Sequence, residues 1–72
     1  MNEQQLLIKV GDKIKAIREQ KGIKQQDLAA KCNFEKSNLS RLEAGRNNLT
    51  LKTLYKISIA LETPLKDLVD VD

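Results

Sequence analysis

Lys36, Ser37, Ser40 and Arg41 stand within one run of six residues, between the turn-type residue Asn33 and Gly45. Set on a helix with Lys36 at 0°, they span an arc from 0° to about 140° at 3.6 residues per turn. Asn38, Leu39, Leu42 and Glu43 take the opposite arc. The first arc consists of donors: an ammonium, two hydroxyls, and a guanidinium whose planar fork fits a phosphate or a base edge bidentately. That inventory suits recognition of a polar or anionic surface. The parts for bond-making chemistry are missing. There is no histidine, and the single cysteine, Cys32, reads as a small buried hydrophobe. No catalytic residue, metal-binding set or cofactor site is expected, and an intrachain disulfide is excluded. An ordinary amphipathic surface helix gives the same two-sided split, so the wheel permits recognition without establishing it.

Charge adds a direction. The overall net charge is +3, but from Lys9 to Lys56 there are twelve basic residues against five acidic ones. The two ends together carry one lysine against five acids. A basic middle between acidic ends suits a polyanion such as nucleic acid, although lysines also simply solvate surfaces. Seventy-two residues allow one domain, 1–72, with a core at about 9–69. A chain of this size buries only about 60% of its unfolded surface. With Phe34 and Tyr55 the only aromatic residues, that core must be aliphatic. The opening MNEQQLLIKV lacks the basic region and apolar run of a signal peptide, and no stretch reaches membrane-spanning length. A cytoplasmic protein is expected, in keeping with its cysteine usage.

The elements that must position the donor arc are all helical, because no segment sustains a period-two alternation. Leu7, Val10, Ile14 and Ile17 recur at helical spacing in a first helix of roughly residues 3–21, ended by a left-handed Gly22. A second helix at about 25–32 buries Leu28, Ala29 and Cys32, and Asn33 tolerates the left-handed turn that follows. The third, at about 36–44, is closed by Gly45. Thr50 caps a fourth over 51–61, whose wide apolar arc (Leu51, Leu54, Tyr55, Ile57, Ile59, Leu61) predicts packing against several neighbours. Thr63 as N-cap and Pro64 at the first helical position start a short fifth helix. The fold class is therefore all-α, a compact five-helix domain.

Two helices of about two turns each, joined by three or four residues, form the layout of a helix-turn-helix, whose second helix is offered to the DNA major groove. Glu43 lies on the leucine side of that helix, and Arg18 borders the apolar stripe of the first. A half-buried carboxylate needs a partner, and arginine can bind it bidentately. An Arg18–Glu43 pair fixing the third helix to the first is expected.

At this point the chain resembles a known family. Arg18, GIKQQDLA (22–29), SNLSRLEAG (37–45) and ALETPLKDL (60–68) together resemble the Cro/C1-type helix-turn-helix family, which includes lambda-type phage repressors and XRE-like bacterial regulators. The likeness covers roughly Lys9 to Leu68. It implies a lambda-repressor-like fold that binds double-stranded operator DNA, usually as a homodimer on a palindromic site, to regulate and here to repress transcription. By position, it implies that Lys36, Ser37 and Arg41 read base edges. It likewise places Gln25, Ser40, Arg46, Asn47 and Asn48 on the DNA backbone, and makes Arg18 and Glu43 a structural pair.

Three positions depart from the family pattern. Lys24 replaces the usual cap of the second helix, Asn33 stands where glycine is common, and Glu35 replaces the usual cap of the third. A Glu35 carboxylate can still cap and complement the helix dipole, but it would repel a phosphate, so it stays outside the DNA-contact set. Leu49, Leu65, Val69 and Val71 are candidates either for a dimer surface or for completing the monomer core. No small-molecule effector site is evident. The rival reading is an antitoxin or protein-interaction module that uses the same fold, with the acidic C-terminus as its docking surface.

Overall fold

The computed structural model describes residues 1–72 and contains five helices: α1 (Glu3–Gln20), α2 (Gln25–Cys32), α3 (Lys36–Glu43), α4 (Leu51–Leu61) and α5 (Leu65–Leu68). Helix α1 begins at a reciprocal cap. The Asn2 side chain accepts from the Gln5 N–H at 2.8 Å, and the Gln5 side chain accepts from the Asn2 N–H at 3.0 Å. It ends where Gly22 takes φ +71°. Asn33 adopts φ 60° and ψ 40° to end α2, so the side chain at this turn does what glycine would do at lower cost. The Thr50 hydroxyl accepts from the Thr53 N–H at 3.1 Å and starts α4.

Two helix starts, those of α3 and α5, differ from expectation. Neither Lys24 nor Glu35 makes a side-chain capping bond, so α2 and α3 both begin with open N-termini and Glu35 does not cap. At α5, Thr63 is not the N-cap. Its hydroxyl donates back to the Leu61 carbonyl at 3.1 Å, while Pro64, with ψ 140°, sits one residue before the single helical turn. The proline ring fixes only φ, so the same residue fits the cap as well as the first helical position. Helix α4 ends at Leu61 as expected, on Glu62, a non-glycine residue held at φ 51°. Backbone bonds from Glu62 and Thr63 to Ile59 and Ser58 close that helix end and hold the strained residue in place.

The core is aliphatic, with Val10, Ile14, Leu28, Leu39, Leu42, Leu54, Ile57, Leu61 and Leu68 buried. Helix α1 packs on α3 and α5, α2 packs on α3 and α4, and α4 packs on α5. Of the four dimer candidates, Leu49, Leu65 and Val71 pack half-buried against this core and Val69 is exposed. The wide arc of α4 is not all covered either. Leu54, Ile57 and Leu61 are buried, whereas Leu51, Tyr55 and Ile59 keep 72%, 58% and 61% of their surface exposed. Only one face of α4 meets α2 and α5, so residues spaced four apart on its other face form a bare apolar stripe. No helix is long and apolar enough to cross a membrane.

Candidate nucleic-acid interface

The inner side of α3 is clamped. Arg18 Nε donates to Glu43 Oε2 at 2.7 Å and Nη2 donates to Oε1 at 3.1 Å, a bidentate pair in which the residues are 7% and 4% exposed. Arg18 Nη1 donates to the Ile23 carbonyl at 2.8 Å, so the guanidinium also holds the loop before α2. Hydrogen bonding to Glu43 raises the Arg18 pKa above its ordinary value against the opposing effect of burial. Gln25 Nε2 donates to Glu43 Oε1 at 3.0 Å. One carboxylate thus ties α1, α2 and α3 together, and both of its oxygens accept hydrogen bonds.

Backbone packing reinforces the clamp. A Cβ on Gly11 would meet the carbonyl oxygens of Leu42 and Glu43 at 2.7 Å each, so α1 approaches the end of α3 as closely as a glycine permits. A Cβ on Gly45, at φ +76°, would likewise come within 2.7 Å of the Ile8 backbone, and the Gly45 carbonyl accepts from Gln4 Nε2 at 3.1 Å. Helix α1 therefore fixes both the end of α3 and the turn that follows it.

The outer side is open. Lys36, Ser37, Ser40 and Arg41 are all exposed, as are Arg46 and Asn48 in the loop to α4, while Asn47 is half-buried. Asn38, on the arc opposite the donors, is exposed all the same. At 200° on the wheel it lies only 60° from Arg41, and Arg41 Nη2 donates to its Oδ1 at 3.0 Å. Asn47 Nδ2 reaches the same oxygen at 3.4 Å. Lys36, Ser37 and Arg41 share the outward surface of one helix.

The residues expected on the DNA backbone fall into two groups. Gln25 and Ser40 line a groove of about 250 Å³ with Asp12, Lys15 and Glu43. Arg46, Asn47 and Asn48 lie beyond the far end of α3. The amide nitrogen of Gln25 is committed to Glu43, so this residue is part of the scaffold wherever else it acts. Lys15 is the cation missed by sequence reasoning. Its position three residues before Arg18, hence on nearly the same side of α1, was the available signal.

Cys32 borders a cleft of about 390 Å³ with Lys31, Tyr55, Lys56 and Ile59. Burial pushes its thiol pKa up, against a smaller lowering by Lys56. The thiol is held protonated, which suits a packing role rather than a nucleophile. No grouping of His, Cys, Asp and Glu could hold a metal ion.

A short helix, a tight left-handed turn, and a second helix with a clamped inner face and an open donor face define a helix-turn-helix DNA-binding domain. The HTH_3 family model, described as helix-turn-helix, matches residues 14–68. An HTH-type transcriptional regulator, y4dJ, of Sinorhizobium fredii is 38% identical over 60 residues, covering 83% of this chain and 78% of its own. The control protein C.BamHI of Bacillus amyloliquefaciens is 38% identical over 61 residues, covering 83% and 75%. The crystal structure of the restriction-modification controller protein C.AhdI of Aeromonas hydrophila superposes with a TM-score of 0.83 at 29% identity, covering 86% of this chain and 94% of that one. The chain belongs to the helix-turn-helix family of DNA-binding transcriptional regulators, whose members are not enzymes.

Proposed function

We propose that this protein is a cytoplasmic repressor that reads a palindromic operator as a homodimer, with α3 in the major groove. One observation carries the reading: the exposed face of α3 presents Lys36, Ser37 and Arg41 from a helix whose opposite face is locked to α1. Arg41 makes the bidentate contact to guanine and Lys36 reaches a neighbouring base, while Ser37 adds a less selective hydrogen bond. Ser40, Arg46, Asn47 and Asn48 bind phosphates, with Lys15 and Gln25 beside the groove of Ser40. Similarity to control proteins suggests the gene set of a restriction-modification system as one setting for that repression.

Two copies meet through α4 in this reading. Leu51, Tyr55 and Ile59 run along one side of the helix over about 12 Å, an uncovered apolar stripe that a second copy would bury. The rival docking surface, the acidic C-terminus, is exposed at Glu62, Asp70 and Asp72 but lies beside basic residues of α1. Lys9 Nζ donates to the Asp72 carbonyl, and Asp70, Val71 and Asp72 lie together against Lys9, Asp12 and Lys13 of α1.

A single titration separates the readings. Affinity for a duplex enriched from a random library should fall steeply with salt, with a log–log slope near −0.9 for each phosphate neutralised. Leu51→Glu should weaken both self-association in sedimentation equilibrium and that affinity. Tight binding to a protein partner, with no duplex enriched over random sequence, would point instead to the interaction module.

A further inference from the structure

Asn38 lies at the edge of the outer face, exposed and next to Arg41. Its Oδ1 accepts from Arg41 Nη2 at 3.0 Å and faces Asn47 Nδ2 at 3.4 Å. One amide oxygen thereby links the recognition helix, its longest exposed donor, and the loop that leads to α4. Behind it lies a small polar pocket of about 110 Å³, lined by Phe34, Asn38, Leu42, Asn47, Asn48 and Thr53. A freely rotating arginine loses several rotors when it engages a base, and that ordering opposes binding. An arginine already held by its neighbour has less to lose. The guanidinium has five N–H donors, so spending one on Asn38 leaves enough for a bidentate contact.

We propose that Asn38 is a positioning residue that pre-orients Arg41 for its base and couples that orientation to the Asn47 loop. This rests on the assignment of Arg41 to base reading. Asn38 itself need touch no base. Its position at the edge of the arc lets its oxygen reach sideways to Arg41, one turn along the same helix, while Asn47 approaches the same atom from outside the helix. The arrangement ties specificity at one base pair to a loop expected on the phosphates.

The test is a double-mutant cycle read as base preference. Duplex affinities are measured for the preferred site and for single-base changes, using the wild type, Asn38→Ala, Arg41→Ala and the double variant. Asn38→Ala should lose about three- to tenfold of the discrimination at the one base pair that Arg41→Ala relaxes, and little elsewhere. In the Arg41→Ala background it should add nothing. Asn38→Asp keeps an acceptor for the guanidinium and should preserve that discrimination, while lowering affinity for every duplex through its charge.

A DNA-free readout accompanies the cycle: the Arg41 Nε–H order parameter of the free protein should fall in Asn38→Ala and recover in Asn38→Asp. Unchanged order and unchanged discrimination in Asn38→Ala would overturn the proposal. So would an equal loss in the Arg41→Ala background, which would make Asn38 a reader or a structural residue in its own right. If Arg41→Ala leaves the preference intact, the underlying assignment of Arg41 fails, and the order parameter still reports whether Asn38 restrains it.

Discussion

The two faces of α3 are built on opposite terms. On the inner face each group is committed: Leu39 and Leu42 are buried, Glu43 is bonded to Arg18 and Gln25, and Gly11 brings the α1 backbone against the end of the helix. On the outer face the long side chains are exposed, and Arg41 is restrained through one neighbour. The contrast shows how an eight-residue helix can serve as a reading head. So short a helix is marginal by itself, and here its position comes from tertiary contacts rather than from its own propensity. The outward side chains then carry none of the packing that holds the helix in place.

Substitutions on the two faces should therefore fail differently. The largest effect belongs to the clamp. Glu43→Ala leaves the Arg18 guanidinium buried without its carboxylate and should cost about 3–5 kcal/mol in urea unfolding. The paired change Arg18→Met with Glu43→Leu should recover much of that, because it removes both charges together. A paired variant as unstable as Glu43→Ala alone would show that something other than the unpaired charge sets the cost.

Gly11→Ala comes next. A methyl group 2.7 Å from two backbone carbonyls has no flexible side chain to displace. The helices must separate, at about 1–3 kcal/mol of stability. Because α3 shifts as a unit, base discrimination should weaken across the whole half-site rather than at one position, and binding-site profiles of this variant check that. The outer loop gives the smallest effect. Arg46→Ala should leave stability and the preferred sequence unchanged, weaken all duplexes about equally, and reduce the salt slope by about 0.9.

The same contrast explains what the sequence could show. The five helices were legible because their ends are marked locally by Gly22, Asn33, Gly45 and Thr50, and their stripes by apolar spacing. The Arg18–Glu43 contact was legible because a carboxylate among leucines demands a partner. The end of α4 at Leu61 was read correctly, but the left-handed conformation of Glu62 that makes it was not, since that residue type does not announce it. The bare stripe of α4 was also hidden. An apolar arc records which residues can be buried, and only the placement of α2 and α5 decides which are. The exposure of Asn38 and its bond to Arg41 were not legible either, because a residue at the edge of a wheel is settled by its neighbour's reach.

The central claim is that the outer face of α3 reads bases while the inner face only holds it in place. Parallel selection of bound sequences from a random duplex library, with the wild type and Arg41→Ala, tests it most directly. The wild type should enrich a two-fold symmetric site, and Arg41→Ala should enrich the same site with a guanine position relaxed by about 1–3 kcal/mol of discrimination. Identical profiles for the two proteins would contradict the assignment of α3 as the reading element.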